Sequence, residues 1–560
     1  MINTAALQEA RAFRLPQADK EAIARHPSCG KKVESFLELN EITVKDIDYQ
    51  IREEFKVYLS EQNTSKKKQM ECLSTLDNIR IEYIEKNIRA ADSLSIRKWM
   101  NQDRFFLLYY PDVKVAREFK GSRIKEELFW DVSDVNEDLK EQVKRMIPVI
   151  IQNKSDLHER NRYLCALRQY MRFCNKRTIF NLEQIEIVDV NQFKLFSQRN
   201  NKETRDACFK IVDYCRKWLF LTDEEVNYQC PIWYLERFAL VEERVNLASP
   251  VRRISFLNIE CGEYRETIQR YALYLIGNMY YSISTIRKRI GDIKVFLIYL
   301  SKDKIPLGSI NDETIARYYR YLQSNNAQNT TIDRHLISIR FFVNYLLHKC
   351  IVDNHPIRWK RYIKGKSPVH VERYLSHDIC VDRDNCFQYM PEDLGLMYLL
   401  NTRTGARISE ICTLRANAFT VNGDDAFMRV YQTKMKADHV MTISAVIARM
   451  VMRYIVSNGY KSKDYIFLNA NGEPYNEQTY RTRLNKIFRE YGNHDYMMKS
   501  HDYRHMVFTD LYDSGVDLQT IRQIANHDNT RMTSRYIDKS QRRSVRKQKG
   551  YYEHECDRNK

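Results

Sequence analysis

The sequence predicts a mainly α protein: a helical N-terminal extension, a further helical unit, and a mixed α/β but mostly helical C-terminal domain with a small β-hairpin or sheet. Three observations carry this. Glycine and proline are scarce, at 15 and 11 of 560 residues, whereas loop-rich and sheet-rich chains spend both on turns. Amphipathic runs with apolar residues at i, i+3, i+4 and i+7 recur along the chain, as in "TIDRHLISIRFFVNYLL" from Thr331 to Leu347. Only one stretch, "DAFMRVYQTKMKADHVMTIS", gives a convincing hairpin signal, with β-prone runs at Phe427–Gln432 and His439–Ile443 around a charged turn.

A chain of this length exceeds one hydrophobic core. The expected division is 1–135, an N-terminal helical extension; 136–250, a second helical module; 251–355, a four-helix unit rich in Lys and Arg; 356–373, a basic linker broken by Pro368; and 374–560, the C-terminal domain with a basic tail. Within the first three parts, segments ending at Asn63, Asn201 and Asn326 share a texture. Each carries two aromatics three apart, Phe55/Tyr58, Phe193/Phe196 and Tyr318/Tyr321, then a polar joint and a second amphipathic helix. A repeated helix-turn-helix unit accounts for this.

The formal charge of +18, from 91 Lys and Arg against 73 Asp and Glu, favours a polyanionic partner, most often nucleic acid. The 13 cysteines are scattered without the short paired spacing of a zinc site, and read as buried reduced thiols. The N-terminus has no signal-peptide core, and runs such as "MIPVII" fall far short of a membrane span. The expectation is a soluble, cytoplasmic, nucleoid-associated protein with no membrane partner.

Phosphodiester chemistry needs fixed cations around a charge that grows in the transition state, and the arginine fork suits this best. A nucleophile and a proton donor complete the set. The C-terminal domain offers each part: Arg407 after a Thr404-Gly405 turn, Lys434 in the hairpin turn, His501 and Arg504 three apart in "HDYRH", His527 in "ANHDN" where a helix ends, and Tyr536 nine residues later.

Here the sequence resembles the tyrosine recombinases, or phage-type integrases. "TGARISEICTL" looks like that family's first-arginine motif, with Glu410 three residues after Arg407, and "HDYRH" matches its His-x-x-Arg-His box. The resemblance covers roughly residues 254–548, and the unit near 254–350 is similar to the family's core-binding domain of SAM-like type. One departure is Ala525-Asn526 where the family has Leu-Gly before its second histidine. The resemblance implies a 3′-phosphotyrosyl intermediate with Tyr536 as nucleophile. Arg407, Arg504 and His527 stabilise charge, Lys434 is the general acid with Lys436 as the alternative, and His501 binds phosphate. It also implies no metal and no cofactor. The implied partners are duplex DNA, a homo-tetramer on paired sites, and accessory DNA-bending or excision factors. His505 is expected to buttress the site, while Tyr551 and Tyr552 are rival nucleophiles in the tail. A type IB topoisomerase, which shares this chemistry, and a non-catalytic DNA-binding protein are the alternative functions. The separate core-binding unit and the basic tail favour the recombinase over the first, and the full set of six residues favours it over the second. The large extension favours a mobile-element role over chromosome resolution.

Overall fold

The computed structural model describes residues 13–86, 100–101, 104–107, 110, 115, 129–259, 262–353, 356–365, 373, 375, 377–433, 435–495, 497–499 and 501–537. The chain forms two compact units, residues 1–231 and 232–560. The boundary expected at 250/251 therefore falls inside the second unit, and everything from Ile232 onward belongs there.

The first unit holds α1 (Gln17–Ala24), α2 (Gly30–Leu39), α3 (Tyr49–Glu61) and α4 (Lys66–Lys86), then strands β1 (Met100–Asn101), β2 (Arg104–Phe106) and β3 (Phe129–Asp131). It continues with α5 (Glu137–Asn153), α6 (Leu157–Lys176), α7 (Ile187–Phe196) and α8 (Lys202–Thr222). One apolar core runs through it, from Leu15 to Leu219. Asp48, Asn136, Asp156 and Asn201 cap four of these helices by accepting backbone N–H bonds, which satisfies donors that the first helical turn leaves open.

The second unit opens with β4 (Ile232–Tyr234), which pairs antiparallel with β5 (Arg253–Ser255). Between them Arg244 donates to the carbonyls of Leu275, Ile276 and Tyr281, and Ala248 sits in the C-terminal core and accepts from the Glu477 N–H. Four helices follow: α9 (Glu263–Asn278), α10 (Ile283–Lys302), α11 (Asp312–Ser324) and α12 (Asn329–His348). The short α13 (Trp359–Tyr362) and α14 (His377–Asn385) lead to α15 (Glu392–Thr404) and α16 (Ile408–Cys412). A three-stranded antiparallel sheet of β6 (Phe419–Asn422), β7 (Asp425–Gln432) and β8 (Ala437–Ser444) comes next, followed by α17 (Ala445–Ser457) and α18 (Glu477–Tyr491). The last three helices among the described residues are α19 (Asp502–Asp513), α20 (Leu518–Ala525) and α21 (Thr530–Ser534).

The fold is mainly α with small sheets, as the composition predicts. The single hairpin signal is a correction: three small sheets occur among the described residues. Strands β1 to β5 are two or three residues long, too short for alternation to register, and β4 and β5 pair across a long connection. The hairpin of the C-terminal domain itself gains the strand β6, paired Phe419 to Met428 through Asn422 to Asp425. No helix among the described residues is long and apolar enough to cross a membrane.

Candidate active site

The site grows from a turn. α15 ends at Thr404, and Gly405 takes a left-handed conformation (φ 62°) with its N–H on the Asn401 carbonyl, a helix stop that glycine meets at no steric cost. Two residues on, Arg407 caps α16. Glu410, 4% exposed, accepts from both the Arg407 backbone N–H (2.9 Å) and its guanidinium (2.7 Å). One carboxylate therefore fixes both ends of the arginine.

Arg504 stands in the first turn of α19 and is 2% exposed. Its guanidinium donates to the Gly405 carbonyl (2.7 Å), the Ala525 carbonyl (3.0 Å) and the His527 Nε2 (3.1 Å). Because arginine only donates, His527 must accept at Nε2 and so carries its proton on Nδ1, which donates to Thr533 Oγ1 at 3.0 Å. The turn before His527 depends on Asn526, in the left-handed region at φ 48°. Asparagine is among the few residues besides glycine that enter this region readily, so the Leu-Gly to Ala525-Asn526 departure keeps the turn. Asn526 also adds a bond that glycine could not make, from Nδ2 to the Oε1 of Gln432 at the end of β7 (3.0 Å). Next to it, His439 of β8 bonds the Ile524 carbonyl (3.0 Å). The end of α20 is thus tied to the hairpin and to Arg504.

α21 returns the chain so that Tyr536 faces this cluster. Its ring stacks on His527 (5.3 Å between centroids, 22°) and lies 4.8 Å from the His505 ring and 5.9 Å from the His501 ring. The Arg504 guanidinium lies 5.3 Å from the ring centroid. Thr509 Oγ1 donates to the Tyr536 carbonyl (3.2 Å) and fixes the backbone there. The structure so brings His501, Arg504, His527 and Tyr536 together, with Arg407 linked through the electrostatics below. His505 packs against Tyr536.

Burial, then the nearby Arg407 charge, pull the Arg504 guanidinium down to about 10. Burial, then the charges of Arg504, Arg373, His505 and Arg407, press the His501 imidazole down to about 4. His501 is therefore neutral at physiological pH. Lys434 lies outside the described residues, as do Tyr551, Tyr552 and the basic tail. The alternative lysine, Lys436, is engaged elsewhere: its ammonium sits 3.4 Å from the Tyr280 ring centroid and donates to the Tyr280 carbonyl (3.3 Å). Sequence reasoning missed Gln432, Thr533 and Thr509, whose polar atoms serve the site across the fold. No cluster of three or more His, Cys, Asp or Glu able to hold a metal occurs among the described residues.

Comparison with known proteins places these elements. Residues 384–543 match the Phage integrase family, and residues 268–349 match the phage integrase N-terminal SAM-like domain. Transposase B from transposon Tn554 of Staphylococcus aureus (strain Mu50) is 25% identical over 382 residues, covering 66% of this chain and 60% of that protein. The chain thus spans about three fifths of the length of that transposase. A tyrosine recombinase of Pseudothermotoga lettingae is 26% identical over 282 residues, covering 48% of this chain and 92% of that protein. Among solved structures, the XerH recombinase bound to a palindromic difH substrate is similar at a TM-score of 0.43 and 15% identity, over 53% of this chain and 87% of that one. Residues 384–543 thus match the integrase domain, and residues 268–349 before them the SAM-like domain, of the phage integrases.

Proposed function

We propose that the chain cuts and rejoins duplex DNA through a covalent tyrosyl intermediate, as a site-specific recombinase of a mobile element that serves integration, excision or transposition. The observation that carries this reading is the meeting of one half-buried tyrosine with a buried arginine and three histidines, in a domain of a positively charged chain. The Tyr536 hydroxyl attacks the scissile phosphate, forms the 3′-phosphotyrosyl bond, and displaces the 5′-oxygen. Arg407 and Arg504 hold the non-bridging oxygens, where charge grows. His527 supports that charge by holding the Arg504 guanidinium at its Nε2, and the neutral His501 adds a hydrogen bond to the same oxygens. Lys434 gives the leaving oxygen its proton. The phosphotyrosyl bond conserves the energy of the broken bond, so a 5′-hydroxyl from another strand can reverse the step and complete strand exchange without nucleotide, metal or cofactor. The +18 charge supplies affinity through phosphate contacts. Two sites are held by a tetramer, with accessory DNA-bending or excision factors setting direction. The naming of its relatives as transposases supports the mobile-element role.

The decisive test is Tyr536→Phe on a nicked suicide duplex. DNA binding should persist and the covalent protein–DNA adduct should vanish. An adduct formed by the Phe variant removes Tyr536 from the nucleophile's role and brings Tyr551 or Tyr552 forward.

A further inference from the structure

The SAM-like helices α9–α12 are not the only four-helix module in the chain. In three places the second helix ends on a non-glycine residue in the left-handed region, Glu41 (φ 55°), Thr178 (φ 56°) and Lys304 (φ 49°). The following isoleucine, Ile42, Ile179 or Ile305, then donates its N–H back to the residue five before it, Leu37, Cys174 or Leu300. From the cap of the third helix (Asp48, Glu186, Asn311), two aromatics follow at the same offsets each time. Phe55/Tyr58, Phe193/Phe196 and Tyr318/Tyr321 stack at 6.2, 6.4 and 6.0 Å. A second-helix ring lies against the first of each pair: Phe36, Phe173 and Tyr299, at 4.9, 5.2 and 5.2 Å. Agreement at so many positions, including a strained turn, marks α1–α4 and α5–α8 as two further copies of the module.

The copies differ in where their charge lies. Residues 13–86 carry 13 Lys and Arg against 14 Asp and Glu, yet five lysines crowd one corner. Lys31 and Lys32 open α2, and Lys66, Lys67 and Lys68 open α4. The two turns adjoin: Lys32 Nζ donates to Thr64 Oγ1 at 2.7 Å, and beneath them the Cys29 and Cys72 thiols meet at 3.0 Å. Lys31, Lys66 and Lys67 are exposed, and Lys68 shares the corner with Glu71 at 3.0 Å. A corner this positive on a module otherwise negative is complementary to a polyanion, and in a chain that handles DNA that polyanion is the phosphate backbone. In the second copy the matching fourth-helix turn mixes signs, with Lys202, Glu203, Arg205 and Asp206.

We propose that residues 13–86 are an accessory DNA-binding module that grips the phosphate backbone through Lys31, Lys32, Lys66, Lys67 and Lys68. This rests on the reading of the chain as a DNA strand-exchange enzyme. The grip falls on DNA outside the segment cut by Tyr536 and is independent of base sequence.

The test uses the full chain with all five lysines changed to Gln, a second variant with all five changed to Arg, and a control, Lys202→Gln/Arg205→Gln. Affinity is measured across a salt series on a long duplex reaching well past the core site and on a short duplex limited to it. On the long duplex the Gln variant should lose about 0.9 in the slope of log K against log salt for each phosphate contact removed. The Arg variant and the control should keep the wild-type slope, and all four proteins should bind the short duplex alike. An unchanged slope for the Gln variant, or an equal loss in the control, overturns the proposal. Adduct formation on the short duplex is scored in parallel. A chain that forms no adduct but shows the slope change sinks the catalytic reading while supporting the lysine corner.

Discussion

His501 is a histidine kept neutral by burial and by its cationic neighbours, and this has a consequence that can be titrated. Its folded value of about 4 lies below the ordinary 6.5, so between these values the unfolded chain binds a proton that the folded chain does not. The stability it contributes is present in full above pH 6.5 and lost as pH falls through 4. Replacing it by Gln should flatten the loss of stability in that window, read as the denaturation midpoint against pH. An equally steep loss in His501→Gln would assign the acid sensitivity to other groups. At this scale the sequence is legible where residue type and spacing are enough: the box holding His501 and Arg504, and the nine-residue step from His527 to Tyr536. It is silent where a role arises only through folding. Gln432 matters because it accepts from Asn526, 94 residues away, and no local pattern in β7 announces that.

Among the elements, the turn between α15 and α16 does most to place the site, since the Gly405 carbonyl receives Arg504. A Cβ at Gly405 would meet Val507 Cβ at 3.2 Å, in a backbone conformation that already disfavours one. Gly423 has nearly the same φ, 66°, with nothing within 4 Å. Gly423→Ala should therefore lose only the conformational term, about 1–2 kcal/mol, and Gly405→Ala more than that, with cleavage reduced as well. Thermal melts of the two variants make the comparison, and equal melting temperatures would show that Val507 yields without cost. The helices were readable because amphipathic periods of many residues accumulate signal. Strands β1 to β5 were not, since two or three residues hold barely one alternation and their pairing is set by distant partners.

For the whole molecule, the position of the first cut matters. A fragment beginning at Ser249, where the sequence suggested a boundary, would lack β4, the Arg244 bonds to the end of α9, and Ala248 in the catalytic core. It would also leave Phe256 without Trp233, now 4.7 Å away ring to ring. A fragment beginning at Ile232 keeps them all. The 232–560 fragment should be soluble and form the Tyr536 adduct on a short duplex, whereas 249–560 should melt earlier or aggregate. Equal stability of the two would mean that residues 232–248 contribute nothing to the second unit. The repeat in the first unit was visible in part, through the aromatic pairs. Its turns were hidden, because Glu41, Thr178 and Lys304 have no sequence preference for the left-handed region they occupy.

The contacts of Tyr536 with His527, His505 and Arg504 are all made within one chain. Each chain then holds its own tyrosine against its own arginine and histidines. Two defects on different chains cannot repair one another: a Tyr536→Phe protein mixed with an Arg504→Ala protein should yield no more adduct than either alone. Had the tyrosine been donated to a neighbouring protomer's arginines, one in the mixture would inherit both intact parts and activity would return. Mixing two dead proteins and looking for rescue thus reads out whether the nucleophile is private property or shared.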